Sequence, residues 1–327
     1  MPGSRASPDP AVRVAVPNVS FSQHPMLRAE LLARHPDSRF NEAGRRLTED
    51  ELIDFMQGCD AAIMSLEPLT ERMLDALPQL KVVGRMGVGL DNLDPALLNR
   101  RGVRIGWRAG VNRLAVAELA LSFAIAGLRH VAPLYAEMRA GARPRARQGR
   151  ELSGRVVGIH GCGNVGKELV RLLKPFGCTL LACDVRDYPE FYRANNVAPV
   201  GMDELLGRSE VLSLHLPLIR ATRGLYDAAT LDRLRPDCVL INTGRGGIVD
   251  ERALAMRLRE GRIAAACFDV FAIEPPEDSD LLAAPNFLCT PHIGGASEEA
   301  RLAMGRSAIG GLTDNFLPEP GVFPFDE

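Results

Sequence analysis

One strand–turn–helix step in the middle of the chain limits its fold more than any other feature. The apolar run Val156–His160 is followed by Gly161-Cys162-Gly163-Asn164-Val165-Gly166, and a helical pattern then runs from Lys167 to Leu173. The next apolar run, Thr179–Cys183, ends in an acid, Asp184. A glycine run is weak evidence alone. Between a strand and a helix, with an acid about 20 residues further on, it predicts a dinucleotide-binding βαβ unit. Gly161, Gly163 and Gly166 would permit the tight turn and close backbone approach. Asn164 and Val165 would open the helix, whose unpaired N–H groups face the pyrophosphate. Asp184 would accept the ribose hydroxyls. Its charge repels a 2′-phosphate, so NAD is expected over NADP, with Arg186 partly offsetting that repulsion.

The rest of the chain reads as two α/β units. Strands are expected at Val12–Val16, Ala61–Met64 and Lys81–Gly84, alternating with helices around Pro25–Arg34, Thr48–Gln57 and Thr70–Ala76. Thr48 and Glu51 have the spacing of a capping box. The stretch from Asn112 to Ala140 reads as one long helix, so apolar from Leu114 to Leu128 that it should be buried between domains or subunits. The basic stretch Gly141–Gly149 reads as a solvated loop, with phosphate binding as the rival. Beyond Arg155, strands are expected at Val211–Leu214, Val239–Asn242, Ala264–Asp269 and Phe287–Cys289, and a helix over Glu298–Phe316. Strand–helix alternation of this kind predicts parallel sheets. The fold class expected is α/β, with two doubly wound parallel-sheet domains. A Rossmann coenzyme domain, residues 112–291, is inserted into a flavodoxin-like substrate domain made of 12–111 and 292–327. Residues 1–11 are expected to be a disordered tail.

Composition removes several function classes. A net charge of −2 gives no basic field for nucleic acid and no polybasic membrane anchor. No apolar run approaches the roughly 20 residues of a membrane span, and the N-terminus lacks a signal-peptide core. The seven cysteines are scattered, with no Cys-x-x-Cys pair, so neither a metal site nor a disulfide framework is indicated. A cytoplasmic protein with no metal, nucleic-acid or membrane partner is expected.

Three late segments each leave a polar group beside a strand end. Ile241-Asn242-Thr243-Gly244-Arg245-Gly246-Gly247 exposes Arg245, Phe268-Asp269-Val270-Phe271-Ala272-Ile273-Glu274-Pro275-Pro276 carries two acids, and Cys289-Thr290-Pro291-His292-Ile293-Gly294-Gly295 supplies a histidine. Ligands of open α/β sheets bind at that carboxyl edge. Imidazole titrates near neutrality and suits acid/base work, and a guanidinium fork fits a carboxylate.

In order and spacing these segments resemble the D-isomer-specific 2-hydroxyacid dehydrogenase family, over nearly the whole chain. The resemblance is nearest to its D-3-phosphoglycerate dehydrogenase-like branch, in a short form without a regulatory domain. It implies hydride transfer between NAD(H) and C2 of a D-2-hydroxy or 2-oxo acid, possibly one like 3-phosphoglycerate, and the long apolar helix predicts a homodimer. His292 matches the acid/base, Glu274 its partner and Arg245 the carboxylate-binding group, the last two flanked by cofactor contacts at Thr243 and Asp269. His215, Pro217 and Thr222 match a loop beside the adenosine half, and Val116 the start of the inter-domain helix where the cofactor passes. Gly84-Arg85-Met86-Gly87-Val88-Gly89-Leu90-Asp91-Asn92 resembles the substrate loop. Arg85, Met86, Val88 and Gly89 would meet the substrate, and Arg85 would reach a phosphate if there is one.

Two departures stand out. Trp107-Arg108-Ala109 replaces the family's Asn-Thr-Pro and places the only tryptophan at the hinge, and Arg143-Pro144-Arg145 lies where relatives often carry Trp. Rival readings are an NAD(H)-sensing, co-repressor-like binding protein and a dehydrogenase of a phosphonate- or phosphite-type oxyanion.

Overall fold

The computed structural model describes residues 12–143, 147–276, 280–284 and 286–322. The expected tail at 1–11 and Pro144-Arg145-Ala146 of the basic loop lie outside them. The chain divides into two compact units, one made of 1–112 with 298–327 and the other of 113–297. The return point is therefore 298 and not 292. His292 is bonded into the second unit by the hydrogen bonds that follow it, described below.

The first unit is built on five parallel strands: β1 (Val14–Val16), β2 (Arg39–Phe40), β3 (Ala61–Met64), β4 (Val82–Arg85) and β5 (Arg104–Gly106), in the order β2-β1-β3-β4-β5. This is the flavodoxin-like order. The helix Glu49–Met56 opens with the expected reciprocal cap: the Glu51 N–H donates to Thr48 Oγ1 at 3.4 Å and the Thr48 N–H to Glu51 Oε2 at 2.8 Å. The helix Pro95–Arg101 was not anticipated. It starts at an Asp94 cap with Pro95 at its first position and stops at Gly102, whose φ is 68°. The last helix, Glu298–Gly311, is shorter than expected and packs on β4 and β5. There Gly106 and Gly311 meet backbone to backbone, so closely that a Cβ on Gly106 would fall 2.1 Å from the Gly311 carbonyl oxygen.

The second unit holds seven parallel strands: β6 (Val156–His160), β7 (Thr179–Cys183), β8 (Val197–Pro199), β9 (Val211–Leu214), β10 (Val239–Asn242), β11 (Ala265–Phe268) and β12 (Phe287–Cys289). Their order, β12-β11-β10-β9-β6-β7-β8, reverses between β6 and β9, as in a Rossmann sheet. The sheet is buried on both faces, by one core around Leu212, Leu240 and Phe268 and another around Ile159, Val239 and Ile241. Near-continuous apolar strands are what two-sided burial requires.

The long helix departs from expectation twice. It breaks after Arg113–Leu128, where His130 takes a left-handed φ of 55°, and resumes as Val131–Arg139 at an angle of 69°. Its apolar character is explained within its own unit: it packs on β10, β11 and the helix Asn164–Leu173, burying Ala117, Ala120, Phe123 and Ala124. Among the described residues no single helix is long and apolar enough to cross a membrane, and no cluster of metal-ligating side chains is present. Arg147, in the basic loop, pairs with Glu137.

Candidate active site

All seven strands of the second sheet run the same way, so every loop that leaves a strand end emerges at one edge. The register also aligns those ends. Cys289 pairs with Phe268, Phe268 with Asn242, Asn242 with Leu214, Leu214 with His160 and His160 with Cys183. The next residue on each strand therefore falls in one row: Thr290, Asp269, Thr243, His215, Gly161 and Asp184. Backbone bonds extend the ladder into this row, from the N–H groups of Thr290 to Phe268 O, Asp269 to Asn242 O, His215 to His160 O and Gly161 to Cys183 O. Side chains close it: Thr290 Oγ1 donates to Asp269 Oδ1 at 2.5 Å, and Thr243 Oγ1 lies 3.3 Å from His215 Nδ1.

At the switch-point end of the row lies the glycine turn. Gly161 has φ 91°, and a Cβ there would strike the His215 carbonyl oxygen at 2.8 Å; one on Gly166 would strike the Gly161 carbonyl oxygen at 2.4 Å. A Cβ on Gly163 would meet nothing within 4 Å. Two glycines are thus fixed by the protein's own packing. The third faces open space, as a surface for close backbone approach of a ligand requires. The helix Asn164–Leu173 starts here with no side-chain cap, leaving its first N–H groups for an anion. Asp184 stands beside the turn and accepts the Arg186 N–H at 2.8 Å. Lys167 covers the Tyr188 ring nearby, with Nζ 3.3 Å from its centroid. This donor set fits a dinucleotide.

His215 also contacts Ser213 Oγ, at 3.0 Å from its Nε2. The residue is only partly exposed, and the protein packed around its ring pushes its pKa down to about 3. It is neutral at physiological pH and ties β9 to β10. Thr222 serves the same loop: its hydroxyl donates to the Pro217 carbonyl at 2.6 Å and accepts the Ile219 N–H at 2.9 Å.

At the other end lies the acid/base group. Asp269 is 2% exposed and its carboxylate accepts three hydrogen bonds. Besides Thr290 these come from the N–H groups of Ile293 and Gly294, both at 2.7 Å. Those are the two residues after His292, which has the left-handed φ of 55°. A non-glycine residue there costs about 1–2 kcal/mol, and the Asp269 clamp holds the turn against that cost. Val116 reaches this turn, its methyl groups lying 3.4 Å and 3.6 Å from where a Gly294 Cβ would sit.

His292 Nδ1 lies 2.8 Å from Glu274 Oε2, and Glu274 Oε1 accepts the Phe271 N–H at 3.0 Å. The Glu274 hydrogen bond, opposed by burial and reinforced by the charges of Glu274 and Asp269, raises the His292 pKa above its ordinary 6.5. Burial alone would raise the Glu274 carboxyl. The His292 hydrogen bond, the Phe271 N–H and the positive charges of His292 and Arg245 outweigh it, and the net shift is downward. Each shift favours the charged form of its group, so the two reinforce one another.

Arg245 is half-buried on the loop after β10. Asn242 shapes that loop, accepting the Gly244 N–H at 3.1 Å and donating to the Arg245 carbonyl at 2.9 Å. The neighbouring Gly246 packs on the Phe271 backbone, where a Cβ would come within 1.9 Å. This contact sets the arginine loop against the loop that carries Glu274. Glu251 adds a second tie by accepting the Ala272 N–H at 2.7 Å. Asn242, Glu251 and Thr290 thus support the site, although only their places beside glycine or proline turns mark them in the sequence.

The loop expected to meet the substrate lies in the first unit, and here two expectations are corrected. The Met86 side chain is buried in the core with Val82 and Ile63, and its N–H donates to the Met64 carbonyl. Arg85 is 3% exposed, donating from Nε to the Gly89 carbonyl at 2.9 Å and from Nη2 to Asn92 Oδ1 at 2.6 Å. Buried there, Arg85 braces its own loop. Val88 and Gly89 remain partly exposed.

A Rossmann sheet whose edge carries a dinucleotide turn and a histidine–carboxylate pair defines a nicotinamide-dependent oxidoreductase. Residues 121–294 match the family model for the D-isomer specific 2-hydroxyacid dehydrogenase, NAD binding domain. The chain is 33% identical to the hydroxypyruvate reductase of Thermotoga maritima over 84% of its own length and 90% of that protein. It is also 33% identical to the D-3-phosphoglycerate dehydrogenase of Methanocaldococcus jannaschii, over 86% of this chain and 56% of that one. It spans about half the length of the curated phosphoglycerate dehydrogenases it matches. A glyoxylate reductase structure from Paecilomyes thermophila superposes with a TM-score of 0.81 at 25% identity, covering 93% of this chain and 95% of that one. The chain belongs to the D-isomer specific 2-hydroxyacid dehydrogenase family, and NAD(H) is its cofactor.

Proposed function

We propose that this chain catalyses reversible hydride transfer between NAD(H) and C2 of a small, unphosphorylated D-2-hydroxy or 2-oxo acid. The observation that carries the reading is the 2.8 Å contact between His292 Nδ1 and Glu274. It commits one ring nitrogen to the carboxylate and keeps the other for the substrate oxygen. When bound, the cofactor supplies or accepts the hydride. His292 donates a proton from Nε2 to the carbonyl oxygen during reduction and removes the hydroxyl proton during oxidation. Glu274 stabilises the imidazolium. Arg245 binds the substrate carboxylate and polarises the carbonyl. Gly161, Gly163, Asn164, Val165 and Gly166 hold the pyrophosphate, and Asp184 the ribose. Thr243, His215, Pro217, Thr222, Val116 and Asp269 line the remaining cofactor contacts, and Val88 and Gly89 offer backbone N–H groups to the substrate carboxylate.

The buried Arg85 favours an unphosphorylated substrate over 3-phosphoglycerate. The test is NADH oxidation across glyoxylate, hydroxypyruvate, phenylpyruvate and 3-phosphohydroxypyruvate. Turnover of one of the first three, exceeding that of the phosphorylated acid, is expected. No turnover on any, despite tight NADH binding, would overturn the assignment in favour of a sensor.

We further propose a cytoplasmic homodimer. The helix Val131–Arg139 leaves Val131, Tyr135 and Met138 exposed at helical spacing. A Tyr135→Arg variant should then elute as a monomer in size-exclusion chromatography with light scattering.

A further inference from the structure

The only tryptophan stands at one of the sequence's departures from the family pattern, and the structure gives it a bonded role. Trp107 directly follows β5, where the close contact of Gly106 with Gly311 fixes the backbone from which its ring emerges. The ring packs against the core around Leu93, Leu97 and Ile105. Its Nε1–H donates to the Val88 carbonyl at 3.0 Å. One residue along, Arg85 Nε holds the Gly89 carbonyl, and Asn92, which Arg85 also bonds, donates to the carbonyls of Ser65 and Glu67. Two successive carbonyls of the loop are thus held by side chains.

A trans peptide unit is planar, with its N–H pointing opposite to its C=O. Holding the Val88 carbonyl on the indole therefore aims the Gly89 N–H the other way, and holding the Gly89 carbonyl on Arg85 does the same for the Leu90 N–H. Among the described residues neither N–H donates a hydrogen bond within the protein. An unpartnered backbone N–H is a donor available to an anion.

We propose that Trp107 is a positioning residue that presents the Gly89 N–H to a substrate carboxylate by anchoring the Val88 carbonyl. The inference rests on the reading that this loop binds the substrate's carboxylate.

The experiment uses the NADH-bound protein and oxalate, which mimics the carboxylate end of a 2-oxo acid without turnover. Trp107→Phe keeps an aromatic ring against the core and removes the donor together with the pyrrole half of the indole. It should weaken oxalate binding about tenfold, the usual effect of losing one such bond, with NADH affinity unchanged. Oxalate binding within twofold of wild type in a folded Trp107→Phe protein overturns the proposal.

The wild-type protein supplies a measurement independent of any variant. With one tryptophan, its indole N–H gives a single resonance, which should shift with the Gly89 amide when oxalate is added. If the Gly89 amide responds and the indole does not, the role of Trp107 fails and the loop assignment stands. If the Gly89 amide does not respond, the loop assignment fails and takes the proposal with it.

Discussion

His292 and Glu274 are joined by a 2.8 Å bond through Nδ1 while the histidine backbone sits at a left-handed φ of 55°. The carboxylate thus fixes both the orientation of the ring and its protonation, because the same bond raises the His292 pKa and helps lower that of Glu274.

The pH dependence follows with a definite sign. Reduction needs His292 protonated, so its kcat/KM should be flat at low pH and fall as pH rises through a pKa above 6.5. Oxidation needs the free base and should rise through the same pKa. Glu274→Gln removes the charge that raises this pKa while burial and Arg245 still lower it. The fall in reduction should then move to lower pH. An unchanged inflection in the variant's pH–rate profile would show that Glu274 does not set the protonation of His292.

Asp269→Asn tests the clamp beneath the histidine. The wild-type carboxylate accepts from Thr290, Ile293 and Gly294, and an amide offers only one accepting oxygen. At least one buried donor would lose its partner, at about 1–3 kcal/mol. A thermal-shift measurement should show a melting temperature lower by at least about 2 °C, and turnover should fall as the His292 turn loosens. A variant as stable and active as wild type would mean that the turn holds without the clamp.

These two relationships differ in how far the sequence reveals them. The strands Val156–His160, Thr179–Cys183, Val211–Leu214, Val239–Asn242 and Phe287–Cys289 could be read because buried parallel strands are continuous apolar runs between turn residues. The glycine run and the motifs around Arg245, Glu274 and His292 were visible for a similar reason, since each is local. The row Thr290, Asp269, Thr243, His215, Gly161 and Asp184 was not, because it depends on the register of six strands far apart in the chain. Asp269 therefore reads in the sequence only as a cofactor contact, and it takes the register to show that it also clamps the His292 turn. Arg85 shows the same limit: its charge points to a phosphate, and only its burial reveals a loop brace. The two-residue strand β2 and the three-residue β5 and β8 were too short for any periodicity to show. The break at His130 falls between Gly127 and Pro133, and a proline cannot donate to the carbonyl four residues back, a signal that the apolar run Leu114–Leu128 masks.

Asp184 should govern cofactor choice. It follows β7 beside the glycine turn, and its Oδ1 is already bonded to the Arg186 N–H. Asp184→Ala removes the charge that repels a 2′-phosphate and leaves Arg186 in place. The ratio of kcat/KM for NADH to that for NADPH should fall at least about tenfold. An unchanged ratio would place discrimination elsewhere in the site.

The glycines of the turn should separate into two kinds when replaced by alanine. Gly166 is needed by the fold, because a Cβ there would lie 2.4 Å from the Gly161 carbonyl oxygen, a backbone atom that cannot rotate away. Overpacking of this kind costs about 1–3 kcal/mol, so Gly166→Ala should melt at lower temperature whether or not NADH is present. Gly163 meets no protein atom within 4 Å, and its φ of −75° carries no left-handed strain, although its ψ of −144° lies outside the main allowed regions. Gly163→Ala should therefore lower the melting temperature of the NADH-free protein less than Gly166→Ala does. The added methyl would instead occupy the space across which the pyrophosphate approaches, and should weaken NADH binding at least about tenfold in a fluorescence titration. Calorimetry with and without NADH distinguishes the two, since only the wild type and Gly166→Ala should still gain stability from the cofactor by mass action. Full NADH affinity in a stable Gly163→Ala protein would move the pyrophosphate away from this turn.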